Sequence, residues 1–337
     1  MPRRVKDGSL TVGGRTVQVT SVDKPFFPET GMTKGDLLAY YRDVAEVMLP
    51  HLAGRPLNLQ RFPNGVNAKG FWQQGASDHF PDWVRTVTVE RRGRGGTVDH
   101  VVCDDAATIV YLANLATVTF HAWTSRVEHL ARPDLVIIDL DPDPDQELDV
   151  VRAAARAVRK ASEEVGLTPF IQTSGSRGYH VVMPLRPGPD VEVVRALADE
   201  LALLVAARDP DRLSVEWRKA SRQGRLLLDT ARNGYAQTVV APYSVRPKPE
   251  APVATPIDWS ELGRVEPRTY TVTNLRRRLA RKPDPWAAMA AEAAEFDPVR
   301  ARLDELLAEA GGPGGPEGSG EPRKGAPGDQ AAGGRRR

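Results

Sequence analysis

Two aspartates at the end of an apolar run are the residues best suited to carry chemistry. The run Val136-Ile137-Ile138-Asp139-Leu140-Asp141-Pro142 predicts a buried strand. Residues two apart in a strand face the same side, with Cα atoms about 6.6 Å apart, so Asp139 and Asp141 share one face. Two carboxylates placed there repel each other and lose hydration, which bound divalent cations would offset. The alternative is a strand that runs into a solvated acidic turn at residues 143–145.

A third carboxylate follows the same pattern. Leu226-Leu227-Leu228-Asp229 is again an apolar strand that ends in an aspartate. On its own this pattern is common in surface and capping aspartates, and it gains weight only in combination with the first pair. A calcium loop of the EF-hand type fits the first pair poorly, because Pro144 stands where that loop requires glycine and Val150 where it places a glutamate ligand.

A glycine-containing loop, Thr173 to His180, lies between the two acidic strands. Its two glycines permit close approach of a ligand, and its hydroxyl, amide and guanidinium groups can bind anionic oxygen. The loop therefore predicts a phosphate cradle, and the alternative is a hairpin with an idle arginine. It is neither a Walker A loop nor a dinucleotide-binding fingerprint. The candidate ligands are Ser174, Arg177 and His180.

Further cationic and aromatic residues would suit an anionic polymer and its substrate. Downstream arginines could neutralise a triphosphate, and the two favoured ones are Arg222 and Arg246. His121 could contact phosphate or protonate a leaving group, although a satisfied core histidine is the alternative. Basic groups beside stacking surfaces suit single-stranded or gapped nucleic acid, and the candidates are Lys24, Lys34, Phe71 and Trp72.

The surrounding pattern predicts elements that could position these residues. Strands are expected at 10–21 (a hairpin), 83–90, 97–103, 135–140, 170–173, 179–184, 225–229 and 238–241. Helices are expected from a capping box at Thr33 to Pro50, and at 105–116, 148–165, 191–207 and, peripherally, within 264–310. Strands mixed with helices indicate an α/β (α+β) fold with a mixed sheet flanked by helices. The best boundary falls near residue 132, between an N-terminal lobe (1–132) and a catalytic half (133–263).

Composition excludes several classes of protein. The chain has 337 residues, 41% hydrophobic and 27% charged, which indicates a folded body. One cysteine, Cys103, excludes an internal disulfide and a CxxC zinc site. The N-terminal residues show no secretion signal. The longest uncharged stretch, 106–125, carries polar residues that argue against a membrane span. We therefore expect a cytoplasmic, nucleoid-associated protein. Residues 311–337 hold ten Gly and four Pro and predict a disordered basic tail.

As a set, these residues resemble the archaeo-eukaryotic primase superfamily, and within it the polymerase domain of bacterial DNA ligase D. The resemblance spans about residues 10–290. It rests on the acidic strands and the glycine loop, and on the following segments: Asp23-Lys24, Thr33-Lys34-Gly35-Asp36-Leu37, Gly54-Arg55-Pro56, Arg61-Phe62-Pro63-Asn64-Gly65 and Ala241-Pro242-Tyr243-Ser244-Val245-Arg246.

The resemblance implies a two-lobed primase-polymerase fold whose catalytic sheet is akin to that of RNA-recognition modules. It also implies a nucleotidyltransferase that adds NTPs or dNTPs to 3′ ends at gaps, overhangs and double-strand breaks in non-homologous end joining. Asp139, Asp141 and Asp229 would then hold two divalent metal ions, Mn²⁺ or Mg²⁺. The triphosphate would be surrounded by Ser174, Arg177, His180, Arg222 and Arg246, with His121 nearby. The DNA would meet Lys24 and Lys34 at a 5′-phosphate, and Phe71 and Trp72 at the template.

Two departures from the family pattern affect the expected DNA surface. Gln60 and Gln74 stand where basic residues are usual, and each removes a positive charge. Without a KxDG ligase motif or a phosphoesterase region, the resemblance implies a stand-alone polymerase that works with a separate ATP-dependent ligase and a Ku-type protein. Two alternatives are a primase that starts chains de novo, which would use the same metal chemistry, and a non-catalytic paralogue that bridges DNA ends. The paralogue would be expected to have lost a carboxylate or the glycine loop, and the sequence retains both.

Overall fold

The computed structural model of the chain describes residues 5–92 and 95–310. Its strands are β1 Gly8–Val12, β2 Arg15–Val19, β3 Pro25–Phe27, β4 Met32–Thr33, β5 Pro56–Arg61, β6 Phe71–Gln73, β7 Thr86–Glu90, β8 Thr97–Val102, β9 Thr117–Trp123, β10 Leu135–Asp141, β11 Phe170–Thr173, β12 Tyr179–Pro184, β13 Leu213–Ser214, β14 Leu226–Asp229, β15 Thr238–Val240 and β16 Thr255–Ile257. Its α-helices are α1 Lys34–Leu52, α2 Ala106–Asn114, α3 Leu148–Glu164, α4 Val191–Arg208, α5 Lys219–Arg222, α6 Leu275–Leu279 and α7 Phe296–Glu309. The tail expected at 311–337 lies outside the described residues.

The first sheet has the strand order β15-β9-β5-β8-β7, with β6 added along β5, and all of its pairs are antiparallel. The amphipathic helices α1 and α2 pack together beside it, and their apolar residues share one core with β5 and β9. Buried tyrosine hydroxyls are satisfied by backbone carbonyls, since Tyr40 donates to Tyr243 over 2.7 Å and Tyr41 donates to Val118 over 2.5 Å. This core fixes the wall of the molecule that carries His121 and Trp72.

The start of α1 is confirmed as predicted, and its end lies later. Thr33 and Asp36 form the expected capping box. Pro50 lies inside the helix, which continues to Leu52. A proline near the C-terminus removes one intrahelical hydrogen bond. The last turn survives because Met48 and Leu52 are fully buried and Ala53 N donates to Leu49 O.

The second sheet has the strand order β13-β14-β10-β12-β11-β16. Only β13 and β14 are parallel, so the mixed sheet is confirmed. In chain order β10-α3-β11-β12-α4-β14 forms the split β-α-β-β-α-β motif. Helices α3 and α4 cover one face, where Val136, Ile138 and Leu140 pack against them. Since strand residues alternate, Asp139 and Asp141 must face the opposite side.

The two sheets are joined by the chain itself. After β14 the backbone returns to the first sheet as β15, and Tyr243 and Val245 enter the core of that sheet. In 264–310 the helical prediction holds only for α6, α7 and a 3₁₀ turn at Met289–Glu292. Trp286 shows why this segment is not peripheral: it is 4% exposed, and its Nε1 donates to Ile171 O over 3.2 Å. No described helix combines the length and the apolar character needed to span a bilayer.

The buried Asn233 should contribute strongly to stability, because its side chain continues the ladder beside β10. Its Oδ1 accepts from Ile137 N over 2.8 Å, and its Nδ2 donates to Ile137 O and Thr230 O, both over 2.7 Å. Asn233→Ala should lower the free energy of unfolding by about 2–4 kcal/mol, since buried backbone groups lose their partners. Urea unfolding measures this. The control Asn67→Ala, in an exposed contact to Glu29, should change it by less than about 0.5 kcal/mol, and an equal loss in both variants would contradict the role of Asn233.

Candidate active site

Strand register brings two of the predicted carboxylates together. Asp139 of β10 lies directly opposite Asp229 of β14, and on its other side it lies opposite His180 of β12. Neighbouring strands are about 4.8 Å apart, so these three residues form one row across the sheet. Residues 90 positions apart in the chain therefore meet at the face that the helices leave open.

Burial and mutual repulsion control the protonation of this pair. Burial raises the pKa of Asp139 to about 6, with the charge of Asp141 acting in the same direction and the Arg232 and Arg246 guanidinium groups opposing it. Burial and the neighbouring Asp139 also raise the pKa of Asp229. A shift of this kind shows that the negative form lacks sufficient compensation, which an added cation would supply.

Asp141 shares the face but is much more exposed than the other two carboxylates. Its Oδ1 lies 3.4 Å from Arg177 Nη2, and both side chains are about half exposed. As the side chains are oriented, no three histidine, cysteine or carboxylate groups within the described ranges stand close enough together to hold a metal ion. The donor chemistry nevertheless fits a hard divalent cation, because two buried carboxylates lie side by side and a third follows on the same face.

His180 is held as a neutral ring. Burial, with help from Arg246 and Arg232, lowers the pKa of His180 to about 3. Gln172 Nε2 lies 3.0 Å from His180 Nδ1 and also donates to Val240 O over 3.2 Å. Because the amide nitrogen is a donor, Nδ1 accepts and the ring proton is on Nε2, which lies 3.4 Å from Asp139 Oδ1. The structure thus presents one N–H group beside the carboxylates.

A cleft of about 780 Å³ separates the two sheets above this row. Its walls include Asp139, His180 and Arg246 from the predicted set, together with His121 and Trp72 of the first sheet. Arg246 is largely buried, and its Nε has no hydrogen-bond partner among the described residues. The cleft therefore carries buried positive charge opposite buried negative charge, which is an arrangement suited to a metal-bound polyphosphate.

Sequence reasoning missed Arg232, which also lines the cleft. It belongs to a 3₁₀ turn, Ala231–Asn233, directly after β14. The Asn233 side chain hydrogen-bonds this turn to the backbone of Ile137. The positive charge of Arg232 acts to lower the pKa values of Asp139 and His180. An arginine three residues after Asp229 was the available signal, but no local pattern distinguished it from the other arginines nearby.

The glycine loop is built around the Ser174 side chain. Ser174 Oγ accepts from Ser176 N over 3.1 Å and from Gly178 N over 3.2 Å. A Cβ atom on Gly178 would lie 1.7 Å from Leu140 O, so only glycine lets the loop approach β10 here. Gly175 has φ +64°, and a Cβ atom there would lie 2.6 Å from Arg246 Cγ. The two glycines therefore place Ser174 and Arg246 relative to the carboxylates.

The remaining candidates of the catalytic set divide between the cleft and its surroundings. His121 lies on β9 edge-to-face with Trp72, with ring centroids 4.7 Å apart, and burial lowers the pKa of His121 well below its usual value. Arg222 lies outside the cleft walls, with its Nη1 3.8 Å from Asp143 Oδ1. Gln60 and Gln74 both line the cleft, so the two departures noted in the sequence face the proposed ligands.

The candidate DNA contacts lie on β6 of the first sheet, immediately before β3, and at the first residue of α1. Phe71 and Trp72 on β6 are 46% and 52% exposed, so part of each ring faces solvent, although Arg61 lies 5.3 Å from the centroid of the Phe71 ring. Lys24 Nζ donates to Asn64 Oδ1 over 3.1 Å, and Lys34 Nζ donates to Thr20 O over 2.6 Å. Burial lowers the pKa of Lys34 to about 8; the charge of Asp7 opposes this shift, and that of Lys24 adds to it. A further anion bound between Lys24 and Lys34 would stabilise both ammonium groups.

Comparisons with known proteins agree with this arrangement. The family described as LigD, primase-polymerase domain, matches residues 33–286. The multifunctional non-homologous end joining protein LigD of Mycobacterium bovis is 32% identical over 295 residues, which is 85% of this chain and 38% of that protein. The bifunctional LigD of Bacillus subtilis is 27% identical over 293 residues, 86% of this chain and 45% of that protein. The chain thus spans less than half the length of these curated relatives.

A solved structure shows the same fold. The polymerase domain of Mycobacterium tuberculosis Ligase D, in complex with DNA, matches with a TM-score of 0.77 and 32% identity, covering 82% of this chain and 99% of that one. The architecture is therefore the two-lobed primase-polymerase fold that the sequence resemblance predicts. The chain belongs to the family of LigD primase-polymerase domains.

A side chain at position 175 would collide with Arg246, so substitution of Gly175 tests the geometry of the cleft. Gly175→Ala should weaken binding of ATP about tenfold or more, because the new methyl group displaces Arg246 as well as straining the backbone. Calorimetric titration measures the affinity. Gly166→Ala is the matched control: Gly166 also has positive φ, at +85°, but nothing lies within 4 Å of its Cβ position. It should lose about 1 kcal/mol of stability and keep its ATP affinity; weakened binding in both variants would refute the role of crowding at Arg246.

Proposed function

We propose that this protein is a nucleotidyltransferase that adds NTPs or dNTPs to the 3′ ends of DNA at gaps, overhangs and double-strand breaks, within non-homologous end joining. The observation that carries the proposal is the row of Asp229, Asp139 and His180 beneath a cleft lined by Arg232 and Arg246. Membership of the LigD primase-polymerase family supports it. The relatives named above are end-joining proteins, and the comparisons favour neither a de novo primase nor a non-catalytic bridging paralogue.

Positioning and electrostatics are the parts of the reaction that the protein's own groups supply. Arg246 and Arg232 would bind the triphosphate, since guanidinium groups match phosphate oxygens in a planar fork. The Nε2–H of neutral His180 would donate a hydrogen bond to a phosphate oxygen beside Asp139. The glycine loop, with Ser174 and Arg177, would cover the other side of the phosphates. Holding the α-phosphorus near the 3′-hydroxyl is a large share of catalysis in such reactions.

Two divalent metal ions, Mn²⁺ or Mg²⁺, would be held by Asp139, Asp141 and Asp229. When bound, such ions neutralise the triphosphate and favour the ionised 3′-hydroxyl. The support comes from the donor set: all three groups are carboxylates, two are adjacent and buried, and both of these have raised pKa values. Arg222, beside Asp143, would act at the edge of this site and not in the triphosphate pocket.

The DNA would lie across the first lobe. Lys24 and Lys34 would receive a 5′-phosphate at a gap, while Phe71 and Trp72 would stack on template bases. Gln60 and Gln74 in the cleft offer hydrogen bonds instead of charge, which reduces the salt-dependent part of the affinity. We also propose that a Ku-type end-binding protein and an ATP-dependent ligase act with it, because filled ends must be held and then sealed.

The carboxylate row is tested by isosteric substitution. Asp139→Asn or Asp229→Asn should lower the rate of nucleotide addition by at least about 100-fold, because each change removes one of two adjacent charges facing the triphosphate. Primer extension on gapped and 3′-overhang DNA, with Mn²⁺ or Mg²⁺, measures the rate. Asp145→Asn, in the exposed loop after β10, is the control and should extend at the wild-type rate. Wild-type extension by the Asp139 variant would overturn the proposal.

The depressed pKa of Lys34 predicts a pH dependence for 5′-phosphate recognition. The lysine is charged below pH 8 and loses its proton above it, while a terminal phosphate stays a dianion in this range. The preference for 5′-phosphorylated over 5′-hydroxyl gapped DNA should therefore be full near pH 7 and fall up to about tenfold by about pH 9. Fluorescence anisotropy at constant salt gives both affinities. Lys34→Gln should show a small, pH-independent preference, and a flat profile in the wild type would remove Lys34 from the site.

A further inference from the structure

A second concentration of positive charge lies outside the cleft, around α6. Five of the seven residues from 276 to 282 are basic, and several of them line a groove of about 470 Å³. The groove is bordered by Glu261, Arg264, Tyr270, Asn274, Arg277, Arg278, Arg281 and Lys282. With five cationic groups against one carboxylate, its walls are strongly positive.

Two of these cations are neutralised and hold the groove together. The buried Arg278 places Nη2 3.0 Å from Glu261 Oε2 and donates to Pro256 O over 2.8 Å. Lys282 lies 3.1 Å from Glu261 Oε2 and also pairs with Asp258. These contacts fasten α6 to the end of β16, so the groove has a rigid floor.

The other three arginines, Arg264, Arg277 and Arg281, are exposed and uncompensated. None of their guanidinium groups makes a hydrogen bond or an ion pair with any residue in the described ranges. Arginine side chains that converge on one groove repel each other unless an anion lies between them. The groove thus has the composition of an anion-binding surface with three free guanidinium forks.

We propose that this groove binds the sugar-phosphate backbone of the DNA on which the protein acts, extending the DNA-binding surface beyond the cleft. The inference rests on the proposed function, which supplies DNA as the ligand. Guanidinium forks match phosphate oxygens, and contacts of this kind position a duplex without reading its sequence. An acidic protein fits less well, because protein interfaces need an apolar centre. Here Tyr270 is the one aromatic ring among the groove residues, and Arg278 covers it at 4.9 Å.

The groove is structurally continuous with the basic rim of the cleft. The chain leaves the cleft at Arg246 and Lys248, then bonds to the groove segment through Val253 N to Tyr270 O and Val272 N to Ala251 O. Between them, Arg268 Nε donates to Ser176 O of the glycine loop. Burial and the charges of Arg268, Arg246 and Arg177 lower the pKa of Lys248, which shows that these cations are crowded together. Positive charge therefore continues from the cleft towards the groove, with the charge of Arg268 partly offset by Glu250, whose Oε2 lies 3.9 Å from Arg268 Nη1.

A triple substitution tests the proposal through the salt dependence of binding. For Arg264→Gln/Arg277→Gln/Arg281→Gln, the slope of log affinity against log salt should fall by about 0.9 for each phosphate that is no longer neutralised, up to about 2.7. The probe is a gapped duplex long enough to extend well beyond the cleft, and fluorescence anisotropy measures its affinity. The matched control Arg186→Gln/Arg208→Gln/Arg302→Gln changes net charge equally, but these arginines are already paired with Glu295, Glu164 and Glu305. It should leave the slope unchanged.

The outcomes separate this inference from the proposed function. The three groove arginines do not line the cleft, so the triple variant should add nucleotides at the wild-type rate on saturating DNA. If nucleotide addition failed in the wild type, the salt slope would still report on the groove. If the triple variant has the same salt slope as the control, the inference is wrong. It is also wrong if polyglutamate binds to the wild type more tightly than to the triple variant while both bind DNA equally well, since the groove would then take an acidic protein. Should the triple variant fail to fold, Arg281→Gln, beyond the end of α6, should alone lower the slope by about 0.9.

Discussion

The pairing of Asp139 with Asp229 across two antiparallel strands is the constraint on which the rest of the site depends. Two carboxylates in adjacent strands repel each other, and their raised pKa values reflect chiefly their burial, with the charge of Asp141 acting on Asp139 and that of Asp139 on Asp229. The register is maintained by the opposite face, where Leu140 and Leu228 are buried under the helices. A slip of β14 by one residue would turn Asp229 into that core and remove Leu226 and Leu228 from it. Hydrophobic burial on one face thus fixes an unfavourable electrostatic arrangement on the other.

The surrounding cations do not cancel this arrangement. Arg232 and Arg246 enter the cleft from two different segments, and both act on Asp139 electrostatically, but neither forms an ion pair with it among the described residues. A direct pair would be more stable in isolation and would leave little charge for a ligand. Because negative and positive groups stay separate, the cleft keeps acceptors for cations and donors for phosphate at once. His180 adds a donor without adding charge, since its pKa is held far below neutrality.

Local patterns in the sequence predicted most of the long elements, missed β5 at the centre of the first sheet, and found the site only in part. Alternation and helical spacing found β10, β12, α3 and α4 nearly to the residue, because these segments bury one face along their whole length. The same patterns placed Asp139 and Asp141 on one face, but the pairing of Asp139 with Asp229 is a long-range register that no local pattern encodes. Arg222 and Arg232 show the limit of sequence reasoning for charged residues: they lie before and after β14, and only the fold shows that Arg232 enters the cleft while Arg222 does not. The sequence predicts that α1 ends at Pro50 and that 264–310 is helical and peripheral. Both predictions are wrong in part, because the burial of Met48, Leu52 and Trp286 outweighs local helix propensity.

The return of the chain to the first sheet explains how two lobes can share one site. Val240 lies in β15 opposite His121, and its carbonyl accepts from Gln172, which also contacts His180. One backbone position therefore links the ring that faces the carboxylates to the sheet that carries Trp72 and β6. A shift between the lobes would break the Gln172–Val240 hydrogen bond, and Gln172 would then no longer fix the tautomer of His180. Under the proposed function, DNA bound by the first lobe would thus be held at a fixed place relative to Asp139, as a reaction that depends on positioning requires.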